Sequence, residues 1–159
     1  PSKVSIILLP VMNPDGWASK TRVNGNAVDV NRNFPTANWT TRAASPRNFP
    51  GEQAGSEPET RVLMSLIEKH PPKLIISIHA PLNCVNWDGP ADEVARLLSE
   101  ASGYQLKPDL GYETPGSLGT YAGDERRIPT ITFELMFRET EERAGTSSTK
   151  CFRKISSRA

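Results

Sequence analysis

Two apolar runs each carry one residue that a core does not need. In KLIISIHA (73–80) it is His79, at the end of the run, and in TITFEL (130–135) it is Glu134. Open α/β sheets place their ligands beyond the carboxyl ends of the strands, where an imidazole at position 79 would sit. A single strand-end histidine can equally be a hydrogen-bonded rim residue, and one histidine is not a metal signature. Glu134 lies between Phe133 and Leu135, where an ionised carboxylate must be paired, protonated or put to chemical use. An ion pair with Arg126 or Arg127 would satisfy it without any reaction. A third group is DVNRNFP (29–35) with Arg22 ten residues before Arg32. Guanidinium forks and carboxamides suit a small anion such as a carboxylate, while local Asx turns would explain the same residues as a surface loop. The fourth is GYETPGS (111–117), whose Tyr112 could swing over a pocket or pack as a loop tyrosine.

The elements that must position these groups follow from periodicity. VSIILL (4–9) reads as a strand apolar on both faces. Residues 13–55 are rich in Asn, Gly, Pro and Arg and lack periodicity, a length of irregular chain that is usually functional. A helix is expected from Glu57 to Lys69, started by a capping box of Ser56 and Glu59 with Pro58 in its first turn. Val62, Leu63, Leu66 and Ile67 form its apolar stripe, and Pro71 and Pro72 end it. Residues 73–80 form a second buried strand, Ala91–Ser102 a second amphipathic helix closed by Gly103, and Gln105–Lys107 a short strand. In 130–135, Ile131, Phe133 and Leu135 face one way and Thr130, Thr132 and Glu134 the other. Alternating strands and helices imply an α/β fold with a mixed, largely parallel sheet and helices on both faces.

The 159 residues suit one domain, and a net charge of +1 argues against nucleic-acid or membrane binding through bulk charge. The longest apolar run is far shorter than the ~20 residues of a membrane span, and no stretch reads as a signal peptide. Two cysteines, Cys84 and Cys151, make neither a disulfide framework nor a cysteine-rich metal module. Residues 138–159 hold six basic and three acidic side chains, against 13 and 15 in residues 1–137. This polar, basic tail is expected to be poorly ordered, with a short helix at most over Arg138–Ala144. Asn38-Trp39-Thr40 matches a glycosylation pattern by chance.

Taken in order, NPDG (13–16), Arg22, VDVNRNFP (28–35), SEPET (56–60), SIHAP (77–81), the Tyr112 loop and TFEL (132–135) resemble the zinc carboxypeptidases of the carboxypeptidase A type. LNCVNWDGPA (82–91) and GYETPGSLGTYAG (111–123) are most similar to the bacterial murein peptide amidases of that family. The resemblance spans residues 1–137 as a partial catalytic domain. It implies Zn2+ as cofactor, with His79 as a metal ligand and Glu134 as the base and proton donor. It implies that Arg22 stabilises an oxyanion, that Asn31 and Arg32 grip the substrate's terminal carboxylate, and that Tyr112 closes over it. Asp29 would orient a zinc-ligating histidine. The family's upstream His-x-x-Glu ligands have no counterpart, since the only histidines are His70 and His79. The family's N-terminal portion is therefore expected to be absent, and the chain alone to hold zinc poorly and hydrolyse little. The implied substrate is a small peptide with a free C-terminus, cut between γ-D-glutamate and meso-diaminopimelate in the cytoplasm. General removal of residues from protein C-termini, deacylation of small N-acyl amino acids and metal-free peptide binding are the alternatives. The oligomeric state is not legible.

Overall fold

The computed structural model describes residues 4–136, which fall into two compact units. The first takes the chain up to Pro72 together with Thr114–Tyr121, and the second takes Lys73–Glu113 with the chain from Ala122 onward. The tail 138–159, including the helix expected over Arg138–Ala144, lies outside the described residues.

The first unit is mostly irregular chain pinned by side-chain hydrogen bonds. Helix α1 (Pro14–Ser19) starts because the Asn13 side chain accepts from the Gly16 N–H at 2.9 Å and Pro14, with no N–H, needs no acceptor. Tight single turns follow at Val30–Arg32 and Pro46–Asn48. Helix α2 (Pro58–Lys69) runs where a helix is expected, but the capping box does not form. Its N-cap is Glu57; the Ser56 hydroxyl donates to Glu57 at 2.6 Å, and Glu59 accepts from the Asn24 amide at 3.1 Å. The Ser56 oxygen also accepts from the Asn33 amide at 3.0 Å, so tertiary partners have taken both groups that the local motif would have used. The core of this unit is Val28, Val30, Phe34, Ile67, Leu118 and Tyr121, with the Phe34 and Tyr121 rings 5.3 Å apart.

The expected strand over residues 4–9 is not formed. That segment has no regular structure, and its side chains are exposed, Ile6 at 76% and Leu8 at 80%. Apolar residues on both faces favour a strand only when a ladder partner satisfies the backbone, and this segment has none among the described residues.

The second unit holds a four-stranded sheet of β1 (Ile75–His79), β2 (Cys84–Asp88), β3 (Gln105–Leu106) and β4 (Thr130–Glu134), in the order β1-β4-β2-β3. β1 and β4 are parallel, as are β2 and β3, while β2 and β4 are antiparallel. The mixed, mostly parallel sheet is the one expected; β2 is an additional strand, in a segment not read as a strand from the sequence. Helix α3 (Asp92–Ser102), ended by Gly103 in the left-handed region (φ +78°), packs against the sheet. Ala91, Ala95 and Leu98 join Val85, Ile131 and Phe133 in its core, and the Tyr104 ring lies 5.1 Å from that of Phe133. Among the described residues no helix is long and apolar enough to cross a membrane.

Candidate functional site

Register decides which side chains meet on the sheet. Directly opposed residues share a face, and the ladders pair Ser77 with Thr132, His79 with Glu134, Cys84 with Glu134, and Asn86 with Thr132. The face opposite the α3-packed core is thus polar. At its carboxyl-terminal edge His79 and Glu134 stand on neighbouring parallel strands, one strand spacing apart. The Ser77 hydroxyl lies 2.9 Å from Nε2 of His79 and fixes the ring. Glu134 is only 6% exposed, and the Leu82 N–H donates to its Oε2 at 3.3 Å. A buried carboxylate with a backbone donor is oriented rather than free to rotate. Burial, and next the negative charge of Glu134, push the thiol of Cys84 up, against a weaker pull from Lys107. Tyr112 belongs to this unit also and is 54% exposed in the loop after β3.

The first unit holds the other candidates. Asp29 caps the Val30–Arg32 turn, its Oδ1 accepting from the Asn31 N–H at 3.1 Å. Its Oδ2 accepts from Nε of Arg22 at 2.6 Å and from the Asn48 amide at 3.3 Å. The Asx turn offered by the sequence is formed, and the same carboxylate also pairs with Arg22. Asp29 bonds to Arg22, and among the described residues none of its hydrogen-bond partners is a histidine. Oδ1 of Asn31 accepts from the Leu118 N–H at 2.9 Å, so its NH2 is the end left to meet a ligand. Arg32 is 9% exposed, with Nη1 donating to the Asn31 carbonyl at 2.7 Å.

A loop distant in sequence builds this arrangement. Gly116, at φ +69°, donates to Thr36 Oγ1 at 3.1 Å and accepts from the Phe34 N–H at 3.0 Å. A Cβ at Gly116 would collide with the Arg32 carbonyl, so only glycine allows that approach. Asn48 is a neighbour of these residues that the sequence reading did not single out, while Gly116 and Leu118, read there only as parts of the segment 111–123, reach them across up to 87 residues of chain.

Catalytic zinc takes three protein ligands and keeps one position open. Among the described residues no group of three or more His, Cys, Asp or Glu side chains could hold a metal ion. His79 supplies one donor, so the described residues do not by themselves fit a catalytic zinc centre.

Comparison with known proteins agrees with the fold. The family model for zinc carboxypeptidase matches residues 2–95. Murein peptide amidase A of Vibrio campbellii is 41% identical over 136 residues, covering 78% of this chain and 54% of that protein. The Escherichia coli K12 protein of the same name is 40% identical over 124 residues, 71% of this chain and 51% of its own length. The chain thus spans about half the length of these curated relatives. The crystal structure of murein-tripeptide amidase MpaA from Escherichia coli O157 superposes with a TM-score of 0.75 at 33% identity, covering 91% of this chain and 64% of that one. Carboxypeptidase A of Helicoverpa armigera has the same fold, with a TM-score of 0.71 at 20% identity over 94% of this chain and 50% of that one.

Proposed function

The chain belongs to the zinc carboxypeptidase family, and from that premise we propose that it serves a peptide amidase that cuts next to a C-terminal diaminopimelate, the γ-D-glutamyl–meso-diaminopimelate bond of murein peptides, in the cytoplasm. The observation that carries the reading is the pairing of His79 with Glu134 at the carboxyl ends of adjacent parallel strands. This pairing gives a buried, oriented carboxylate a ligand-facing edge to work on.

In the proposed reaction Glu134 takes a proton from the water that attacks the amide carbon. As the C–N bond breaks, the same carboxyl delivers that proton to the departing amine. Arg22 meets the developing oxyanion; a fixed donor there stabilises the transition state by about 3–4 kcal/mol at most. Asn31 and Arg32 hold the terminal carboxylate and so select substrates with a free C-terminus. Tyr112, exposed in its loop, closes over the bound peptide. No step is assigned to zinc, because His79 alone does not make its site.

The mismatch of donors supports a second reading: these residues bind the peptide without metal or hydrolysis. Calorimetry of the 159-residue chain with L-Ala-γ-D-Glu-meso-diaminopimelate, with and without zinc, separates the two. Binding is expected, weakened roughly tenfold or more by Arg32→Ala, abolished by C-terminal amidation and weaker for the lysine analogue. Equal binding of the lysine analogue would favour a general carboxypeptidase. Binding that zinc does not change would favour the metal-free module, and absence of binding to the wild-type chain would sink both.

A further inference from the structure

Arg22 is a long side chain on an irregular loop, and such a residue ordinarily spreads over many rotamers. Here its Nε donates to Oδ2 of Asp29 at 2.6 Å, a short charge-assisted bond. The two partners differ sharply in exposure: the Asp29 side chain is 3% exposed and that of Arg22 is 30% exposed. The carboxylate is therefore the buried anchor and the guanidinium the part that reaches outward. Asp29 is itself immobilised on three sides. Its Oδ1 takes the Asn31 N–H, its Oδ2 also takes the Asn48 amide, and its backbone N–H donates to the Phe49 carbonyl at 2.8 Å. Asn48 in turn is held by the Ser45 hydroxyl, which donates to its Oδ1 at 2.8 Å.

We propose that Asp29, braced by Asn48, is the positioning residue that locks Arg22 by its Nε edge so that the Nη1/Nη2 end of the fork is presented to an anionic or carbonyl oxygen of the ligand. A guanidinium has five donors in a plane, and engaging Nε from one side fixes both the plane and the direction of the far edge. The same carboxylate caps the turn carrying Asn31 and Arg32, so one buried group sets the angle of Arg22 and the backbone of the carboxylate-binding pair together. The proposal rests on the reading of Arg22 as a ligand-contacting arginine, but the lock itself is a property of the unliganded chain.

The test uses the full 159-residue chain labelled with 15N. In the wild type the Nε–Hε signal of Arg22, assigned by its loss in Arg22→Lys, is expected to be resolved and slowly exchanging at neutral pH. Asp29→Asn should bring it back among the solvent-averaged arginine signals, and Asn48→Ala should speed its exchange. Calorimetry with L-Ala-γ-D-Glu-meso-diaminopimelate should show roughly a tenfold loss for Asp29→Asn. The double variant Asp29→Asn with Arg22→Lys should bind no worse than Arg22→Lys alone, because Asp29 acts through Arg22. A wild-type Arg22 signal already averaged with the others would overturn the lock. So would additive losses in the double variant, or wild-type affinity in Asp29→Asn. Should Asp29→Asn not fold, the Asn48→Ala exchange rate decides, and an unchanged rate counts against the brace. If the wild-type chain does not bind the tripeptide while the Arg22 signal behaves as expected, the functional reading fails and the lock stands.

Discussion

Asn31 has a carboxamide whose two ends are chemically opposite, and the Leu118 N–H has already chosen between them by bonding to Oδ1. Only a donor is left for the ligand, which suits a carboxylate and rejects an ammonium. Asn31→Asp keeps an oxygen for Leu118 and replaces the donor with a charge that repels a carboxylate. It should leave the circular dichroism spectrum and thermal midpoint close to wild type while weakening tripeptide binding by at least about tenfold. Equal affinity for the variant in calorimetry would remove Asn31 from the clamp. At this scale the sequence is informative about residue types and silent about partners. DVNRNFP shows by composition that an anion could be held, but nothing local indicates that Leu118 and Asn48 would set its orientation. Those contacts exist only once the chain has folded back on itself.

Strands and helices tell a different story, because their legibility depends on whether local preference and tertiary demand agree. Strand β4 is read directly from its period of two, and α3 from its apolar stripe and closing glycine. Strand β2 is missed although Val85 and Trp87 alternate with Cys84, Asn86 and Asp88, because five residues between turn signals carry too little period to stand out; the sheet buries Cys84 and Asn86. Two elements should respond to acid in opposite directions. Burial, then the nearby charge of Asp124, push the carboxyl of Asp88 at the end of β2 up to about 6. Its pKa in the folded chain exceeds the ordinary 3.8, so the fold binds this proton more tightly and stability should rise as pH falls from about 6 toward 4. At neutral pH the ionised group costs on the order of 3 kcal/mol. Asp88→Asn should therefore raise the melting temperature at pH 7 and flatten the acid limb for the second unit; a lower midpoint at pH 7 would contradict this. At the start of α2, burial alone would raise the carboxyl of Glu57. Hydrogen bonds from Ser56, Asn24 and Asn26, with the charge of Arg61, outweigh it and hold it below its ordinary value. That contribution is present at neutral pH and is lost as pH falls through the lowered pKa.

At the scale of the whole molecule, the feature most at odds with a self-sufficient globule is the apolar segment at residues 4–9. Val4, Ile6, Ile7 and Leu8 are all more than half exposed, as is Trp17 in α1. Contiguous apolar surface of this kind drives association unless something covers it. The 159-residue chain is expected to elute in a concentration-dependent position by size exclusion with light scattering, and the double variant Ile6→Lys, Leu8→Lys to shift it toward the monomer. A wild-type chain monomeric at all concentrations would show that the segment is covered. The net charge of +1 offers little repulsion against such association.

Cys84 is fully buried on the ladder beside Glu134, and its ionisation is held back first by that burial and then by the neighbour's charge. Oxidants and electrophiles attack sulfur as the thiolate. A molecule that keeps a sulfur sealed and protonated there is spared a bulky, acidic oxidation product at the one place where it would displace the carboxylate from its strand, so redox damage should reach this site last.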